Sequence, residues 1–179
     1  MLLATVLALI AAALHATWNF VAKRAEGDTY LVLWAQFLLG GLVCLPLLIG
    51  YQIGWGMPWQ AYVWGAVSGA VHLPYVWLLA RAYQRGDFSV SYPIARGGGA
   101  ALGAVGGGVL LGDHLSAAEI TGITIIVGGL LLLAYGASAE NVARALAVAA
   151  TIGTYTGVDA KGSRIADSLL EVFAASWLA

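Results

Sequence analysis

The sequence predicts an all-α polytopic membrane protein, and three observations predict it. First, 61% of the 179 residues are hydrophobic and only 9% are charged, with a mean hydropathy of +0.86. A soluble domain carries about 25% charged residues, so a chain of this length must give most of its apolar surface to lipid. Second, the apolar residues fall into runs of about 20, the length a helix needs to cross the hydrocarbon core. Third, the chain echoes itself. Thr17-Trp18-Asn19 leads to Lys23 and then Asp28; Thr154-Tyr155-Thr156 leads to Asp159, Lys161 and then Asp167.

Six runs are expected to be helices that span the membrane. They cover Met1–Ala22, Tyr30–Tyr51, Gln60–Gln84, Ser89–Leu111, Ser116–Gly136 and Ala143–Ala160. The first resembles a signal peptide, but no Lys or Arg precedes it and five further runs follow, so cleavage is not expected. The second, with Pro46 near its end, leads into a cluster of Tyr51, Trp55, Trp59, Tyr62 and Trp64 that suits an interfacial aromatic belt. The third carries Gly65 and Gly69, and Pro74 loosens its backbone. The fourth carries Gly99, Gly103 and Gly107 at spacing four, with Gly108 and Gly112 as a second pair, a pattern that lets helices approach closely in lipid. Cys44 lies inside the second run and reads as a packing residue. The connections are short, so neighbouring helices should be antiparallel.

Five runs precede the second half of the echo, so the second copy enters the bilayer from the opposite side. Inverted-topology repeats of this kind are a hallmark of secondary transporters. The repeat divides the chain into residues 1–137 and 140–179. A seventh apolar run, 168–179, stops after about a dozen residues, too few to span. Two full copies at an offset of about 138 residues would take roughly 280, so the expectation is the N-terminal part of a longer protein; a shortened chain that dimerises is the alternative. Lys23, Arg24, Arg81 and Arg85 put the first and third connections in the cytoplasm by the positive-inside rule, whereas Lys161 and Arg164 vote the other way. Membrane orientation therefore stays open.

Polar residues inside spans are costly and usually have a job. Arg96 lies seven residues after Ser89, about 10 Å into the fourth run, and reads either as a cation facing a cavity or as a snorkelling side chain. His15, Trp18 and Asn19 share one helix face, as do Ser68, His72 and Tyr75, and Thr151, Tyr155 and Asp159. Converging from three helices, these groups suit a cavity for a small amphipathic molecule. Asp159 is either an interfacial ion-pair partner of Lys161 or Arg164, or a cavity carboxyl that carries a proton or meets Arg96. Two histidines on different helices with no Cys or Glu nearby make no metal ligand set. No nucleophile stands at a recognisable spacing from either histidine, so an enzyme is not expected, nor is a cofactor. No basic stripe tracks a phosphate backbone, so nucleic acid is not an expected partner.

Three stretches carry a resemblance. They are Leu14-His15-Ala16-Thr17-Trp18-Asn19 through Lys23; Ala80-Arg81-Ala82-Tyr83-Gln84-Arg85-Gly86-Asp87 into Ser91-Tyr92-Pro93-Ile94-Ala95-Arg96-Gly97; and Leu110-Leu111-Gly112-Asp113-His114-Leu115-Ser116. In order and spacing they resemble the drug/metabolite transporter superfamily, in particular proteins with paired EamA-type domains, although Asp113 stands where Glu is usual. The resemblance implies ten helices in two inverted five-helix copies, of which this chain holds one and the start of the other. It also implies export or exchange of small metabolites or drugs by alternating access, in a membrane such as the bacterial inner membrane.

The reading is thus a secondary transporter whose partners are a small-molecule substrate and the lipid bilayer, with proton or counter-substrate coupling. Arg96 would hold an anionic group, Trp18, Tyr75, Tyr92 and Tyr155 would line the cavity, and His15, Asn19, His72 and Asp159 would supply hydrogen bonds or coupling. The alternatives are a flippase for a lipid-linked sugar and a non-transporting membrane scaffold, which would have no need of a buried Arg.

Overall fold

The computed structural model describes residues 2–24 and 26–166. Six helices fill it: α1 (Leu2–Arg24), α2 (Thr29–Gly54), α3 (Trp59–Arg85), α4 (Phe88–Leu110), α5 (Ala117–Tyr135) and α6 (Ala139–Ala166). No strand occurs among the described residues. Each apolar run has become one helix. The run at 168–179, and Asp167 of the echo, lie outside the described residues.

Local chemistry sets the helix starts. The Asp28 side chain accepts from the Tyr30 backbone N–H and caps α2. Asp87 caps α4 in the same way through Ser89, and the Ser89 hydroxyl and backbone N–H hold the Asp87 carboxyl below its ordinary value. The ionised, capping form of Asp87 therefore persists as pH falls further than an unassisted aspartate would allow. Ser116 and Glu119 form a reciprocal capping box at the start of α5. Helix α6 begins four residues before the predicted run and ends six after it; a Glu140–Arg144 ion pair one turn apart supports its early start.

Three of these helices, α2, α3 and α5, are long and apolar enough to cross a membrane. Helix α5 makes the solvent plain. None of its residues is buried in the bundle, and Ile125, Leu131 and Leu132 are each at least two-thirds exposed. A helix that is apolar all round and unburied by protein needs lipid around it. Trp55 and Trp59 flank the α2–α3 turn, both largely exposed, as a headgroup-level belt requires. Helices α1, α4 and α6, also expected to span, are not among these three. In α4 and α6 glycine and polar residues dilute the apolar sequence.

Helix α6 sits between α3 and α4 and packs most closely on α4. The glycine ladder is the reason. Gly98 faces Ala149, Gly99 faces Ile152 and Gly103 faces Thr156, so α4 and α6 run parallel, backbone to side chain. On the other flank, His72 meets Tyr155 while Tyr75 also reaches Tyr155, and the Gly86 turn at the end of α3 meets Asn141 at the start of α6; α3 and α6 are antiparallel. The α1 terminus lies against the end of α3, through Asn19 and Lys23 to Tyr83, so α1 and α6 run in opposite directions. Gly65 and Gly69 are buried on α3. Gly112 departs from the expected pairing with Gly108: it has left the helix, and its φ of +75° forms the turn after α4. The main core joins Ala22, Leu33, Tyr75, Leu79, Tyr83, Ala95, Val148 and Ile152, which come from α1, α2, α3, α4 and α6.

The seam gives a test. A Cβ at Gly99 would stand 2.4 Å from Ile152 Cγ2 and 2.6 Å from Ile152 Cβ, which is close to the α6 backbone and cannot swing away. Gly99→Val is expected to cost about 1–3 kcal/mol by overpacking, read as a lower midpoint in detergent unfolding. Adding Ile152→Ala should recover part of that loss, since the two sites share one space. Equal midpoints for Gly99→Val and wild type would mean that the helices do not meet there.

Candidate functional site

Arg96 is held two turns into α4, where the helix N-terminus at the Asp87 cap and the Gly97–Gly99 seam fix its face. Its Nη2 donates to the Tyr75 hydroxyl at 2.8 Å. Its guanidinium carbon lies 5.8 Å from the Tyr75 ring centre and 6.0 Å from that of Trp18, within the range of cation–π attraction. The phenols of Tyr155, Tyr83 and Tyr92 are close enough to act on its charge. Nε is shielded from solvent and has no hydrogen-bond partner. Among the described residues no carboxylate pairs with Arg96; the two ion pairs found are Arg144–Glu140 and Arg164–Asp113.

Aromatic rings build the surroundings as a connected set. Tyr75 meets Tyr155 edge-on at 5.6 Å, and the His72 ring stacks on Tyr155 at 4.3 Å. Phe37 of α2 closes on both His72 and Tyr75. His72 Nδ1 lies 2.8 Å from the Ser68 backbone oxygen, an acceptor, so that nitrogen carries the hydrogen. Trp18 from α1, Tyr75 and His72 from α3, and Tyr155 from α6 therefore share one layer with Arg96. A planar guanidinium with an unpartnered Nε inside an aromatic wall has the donor geometry that pairs with planar anions through parallel hydrogen bonds.

The other predicted residues are placed less centrally. His15 is exposed and meets Trp18 edge-on at 5.2 Å. Tyr92 is half-buried and stacks on Phe88 at 5.1 Å. Asn19 takes a different part from a cavity hydrogen-bonder. It is completely buried; Tyr83 donates its hydroxyl to Asn19 Oδ1 at 2.5 Å, and Asn19 Nδ2 donates to the His15 backbone oxygen at 2.7 Å. The Oδ1 end joins α1 to α3, while the Nδ2 end is used within α1; Lys23 reinforces the join by donating to the Tyr83 backbone oxygen. Thr151 spends its hydroxyl on the Val148 carbonyl of its own helix. Asp159 has no ion pair with Arg164, which instead grips both carboxylate oxygens of Asp113 at 2.7 Å and ties the α4–α5 turn to the end of α6.

Sequence reasoning missed Tyr83, which is buried and central to the α1–α3 join. It also missed the contact of Ser91 with Asn141, a buried hydrogen bond of 2.7 Å. Neither had a signal of its own, because Tyr83 lies among charged residues and Asn141 near a helix start. An open apolar groove of about 610 Å³ runs along α4 and α6 past Leu102, Gly106, Gly153 and Gly157, apart from the predicted site residues. Against known proteins, the chain matches no family model, no curated protein and no solved structure.

Proposed function

We propose that the chain belongs to a secondary transporter that moves a small anionic or amphipathic metabolite across a membrane by alternating access. The observation that carries the reading is Arg96: a mostly shielded guanidinium with an unpartnered Nε, no carboxylate beside it, and aromatic rings from α1, α3 and α6 around it. A charge left uncompensated inside a membrane bundle marks a substrate or ion pathway. Further support comes from the echo. Its two aromatic residues, Trp18 and Tyr155, approach the same cation from helices of opposite direction, as an inverted pair of units would bring them. In that arrangement α1–α5 form one EamA-like unit and α6 opens the second, in an inner membrane of the cell.

The test is counterflow. Full-length protein in liposomes loaded with a panel of small carboxylates and amphipathic metabolites is expected to exchange at least one of them with saturable kinetics. Correctly folded protein that exchanges none of the panel overturns the proposal.

A further inference from the structure

One turn beyond Tyr155, Asp159 carries an Oδ1 that is shielded from solvent and accepts no hydrogen bond. Ser68, one turn before His72 on α3, faces it, because His72 stacks on Tyr155 and α3 runs antiparallel to α6. Ser68 is completely buried, and its Oγ also has no partner. Two unsatisfied polar atoms on different helices thus stand across one interface, where each is costly to leave unpaired. Nothing nearby neutralises a carboxylate there. From α3 the other facing group is His72, whose Nδ1–H is committed to the Ser68 carbonyl. On α6 itself the neighbour is Tyr155, Lys161 is exposed, and Arg164 is taken by Asp113. From α4 the register that sets Gly103 against Thr156 brings Gly106 to this level, which carries no side chain. The α4–α6 register sets Arg96 roughly ten residues back along α6, about 15 Å of helix rise away.

We propose that Asp159 and Ser68 form a proton station, separate from the Arg96 site and coupled to it across the Tyr155–His72 ring pair. Loading takes one proton from water onto the Asp159 carboxylate, and the resulting acid O–H donates to Ser68 Oγ. Unloading returns that proton to water on the other side, and the Ser68 O–H then donates to the carboxylate. The same two oxygens satisfy each other in both states, so a small rotation of the hydroxyl suffices for exchange. A metal ion fits less well: only two oxygens converge, and no group of three or more His, Cys, Asp or Glu is found among the described residues. The coupling to an anion rests on the transporter reading; the proton site does not.

Dicyclohexylcarbodiimide, which reacts with protonated carboxyls in apolar surroundings, provides the test on the purified full-length chain. Peptide mass spectrometry is expected to find Asp159 modified at acid pH, with modification falling about tenfold per unit once pH passes the station's titration point. Asp159→Glu should keep a labelled carboxyl, and Ser68→Ala should move the pH at which labelling falls. Replacing choline chloride by sodium chloride should change nothing; protection by sodium would overturn the proton assignment in favour of a metal ion. Asp159 left unmodified while other carboxyls react, or modified equally at all pH values, would also overturn it. Labelling needs no transported solute, so a chain that labels as expected yet fails in counterflow keeps the proton station and loses the transporter reading.

Discussion

Gly86→Ala is expected to leave little folded protein. Gly86 ends α3 with φ of −108°, a conformation any residue adopts, so the demand is for space. A Cβ there would lie 2.3 Å from Asn141 Oδ1, 2.5 Å from Ser91 Oγ and 2.5 Å from the Ala82 backbone oxygen. The first two atoms form the buried Ser91–Asn141 hydrogen bond that pins the start of α6 to the start of α4. The third is backbone and accepts the Gly86 N–H that closes α3. A methyl group must therefore break the polar pair, the helix end or both. Overpacking costs about 1–3 kcal/mol and an orphaned buried polar group about 1–3 kcal/mol more, against a total stability of roughly 5–15 kcal/mol. The measurement is the yield of monodisperse protein in detergent and its unfolding midpoint. Asn141→Ala in the same chain should restore only part of the loss, because the Ala82 carbonyl remains. A Gly86→Ala protein with the yield and midpoint of wild type would show that the three helices do not converge there.

That contact also shows where sequence stopped being informative. The six helices were legible because each apolar run is separated from the next by a short turn; Asp28, Asp87 and Ser116 cap three of them, whereas Pro58 opens α3 with no side-chain cap. The glycine spacing announced a close seam without naming its other side. That side is α6, a partner set by Ile152 and Thr156, which have no periodic signature of their own. Apolarity is a thinner signal in α4 and α6, since a helix packed against other helices uses glycine and polar residues where a lipid-facing helix uses Leu and Ile.

The candidate site divides the same way. Arg96 stood out because a charge inside an apolar run is expensive, and Tyr75, Tyr155 and Trp18 followed from helical spacing. Asn19 shared a face with Trp18 yet turned toward Tyr83, and spacing alone cannot say which of two neighbouring residues meets a partner 64 positions away. Asp159 could pair with Lys161 or Arg164 on sequence spacing; the positive φ of Gly112 instead brings Asp113 to Arg164 and leaves Asp159 to Ser68.

Arg96→Met is expected to abolish counterflow while leaving the fold intact, and this pair of outcomes separates a binding residue from a structural one. Methionine keeps an unbranched apolar stem to pack beside Trp18 and Tyr75, and it removes the charge. A shielded cation without a carboxylate partner contributes little to stability and usually costs it, so with Tyr75→Phe alongside Arg96→Met the unfolding midpoint should stay at the wild-type value or rise. The Tyr75 hydroxyl loses its donor, a penalty of about 1–3 kcal/mol if nothing replaces it, and Tyr75→Phe in the same chain should return that amount. Binding behaves oppositely. Each hydrogen bond to a charged group is worth about 1.5–3 kcal/mol, so losing a two-pronged contact should weaken substrate affinity by at least about a hundredfold. Arg96→Lys keeps the charge but not the planar fork, and its residual flux should be small and carry a raised KM. Tyr75→Phe alone frees the guanidinium to wander and should raise KM more than it lowers the maximal rate. If Arg96 were instead a structural cation, Arg96→Met would lower the midpoint by several degrees even with Tyr75→Phe beside it, and would spare the flux of whatever protein still folds. Retained saturable flux in folded Arg96→Met protein removes Arg96 from the substrate site.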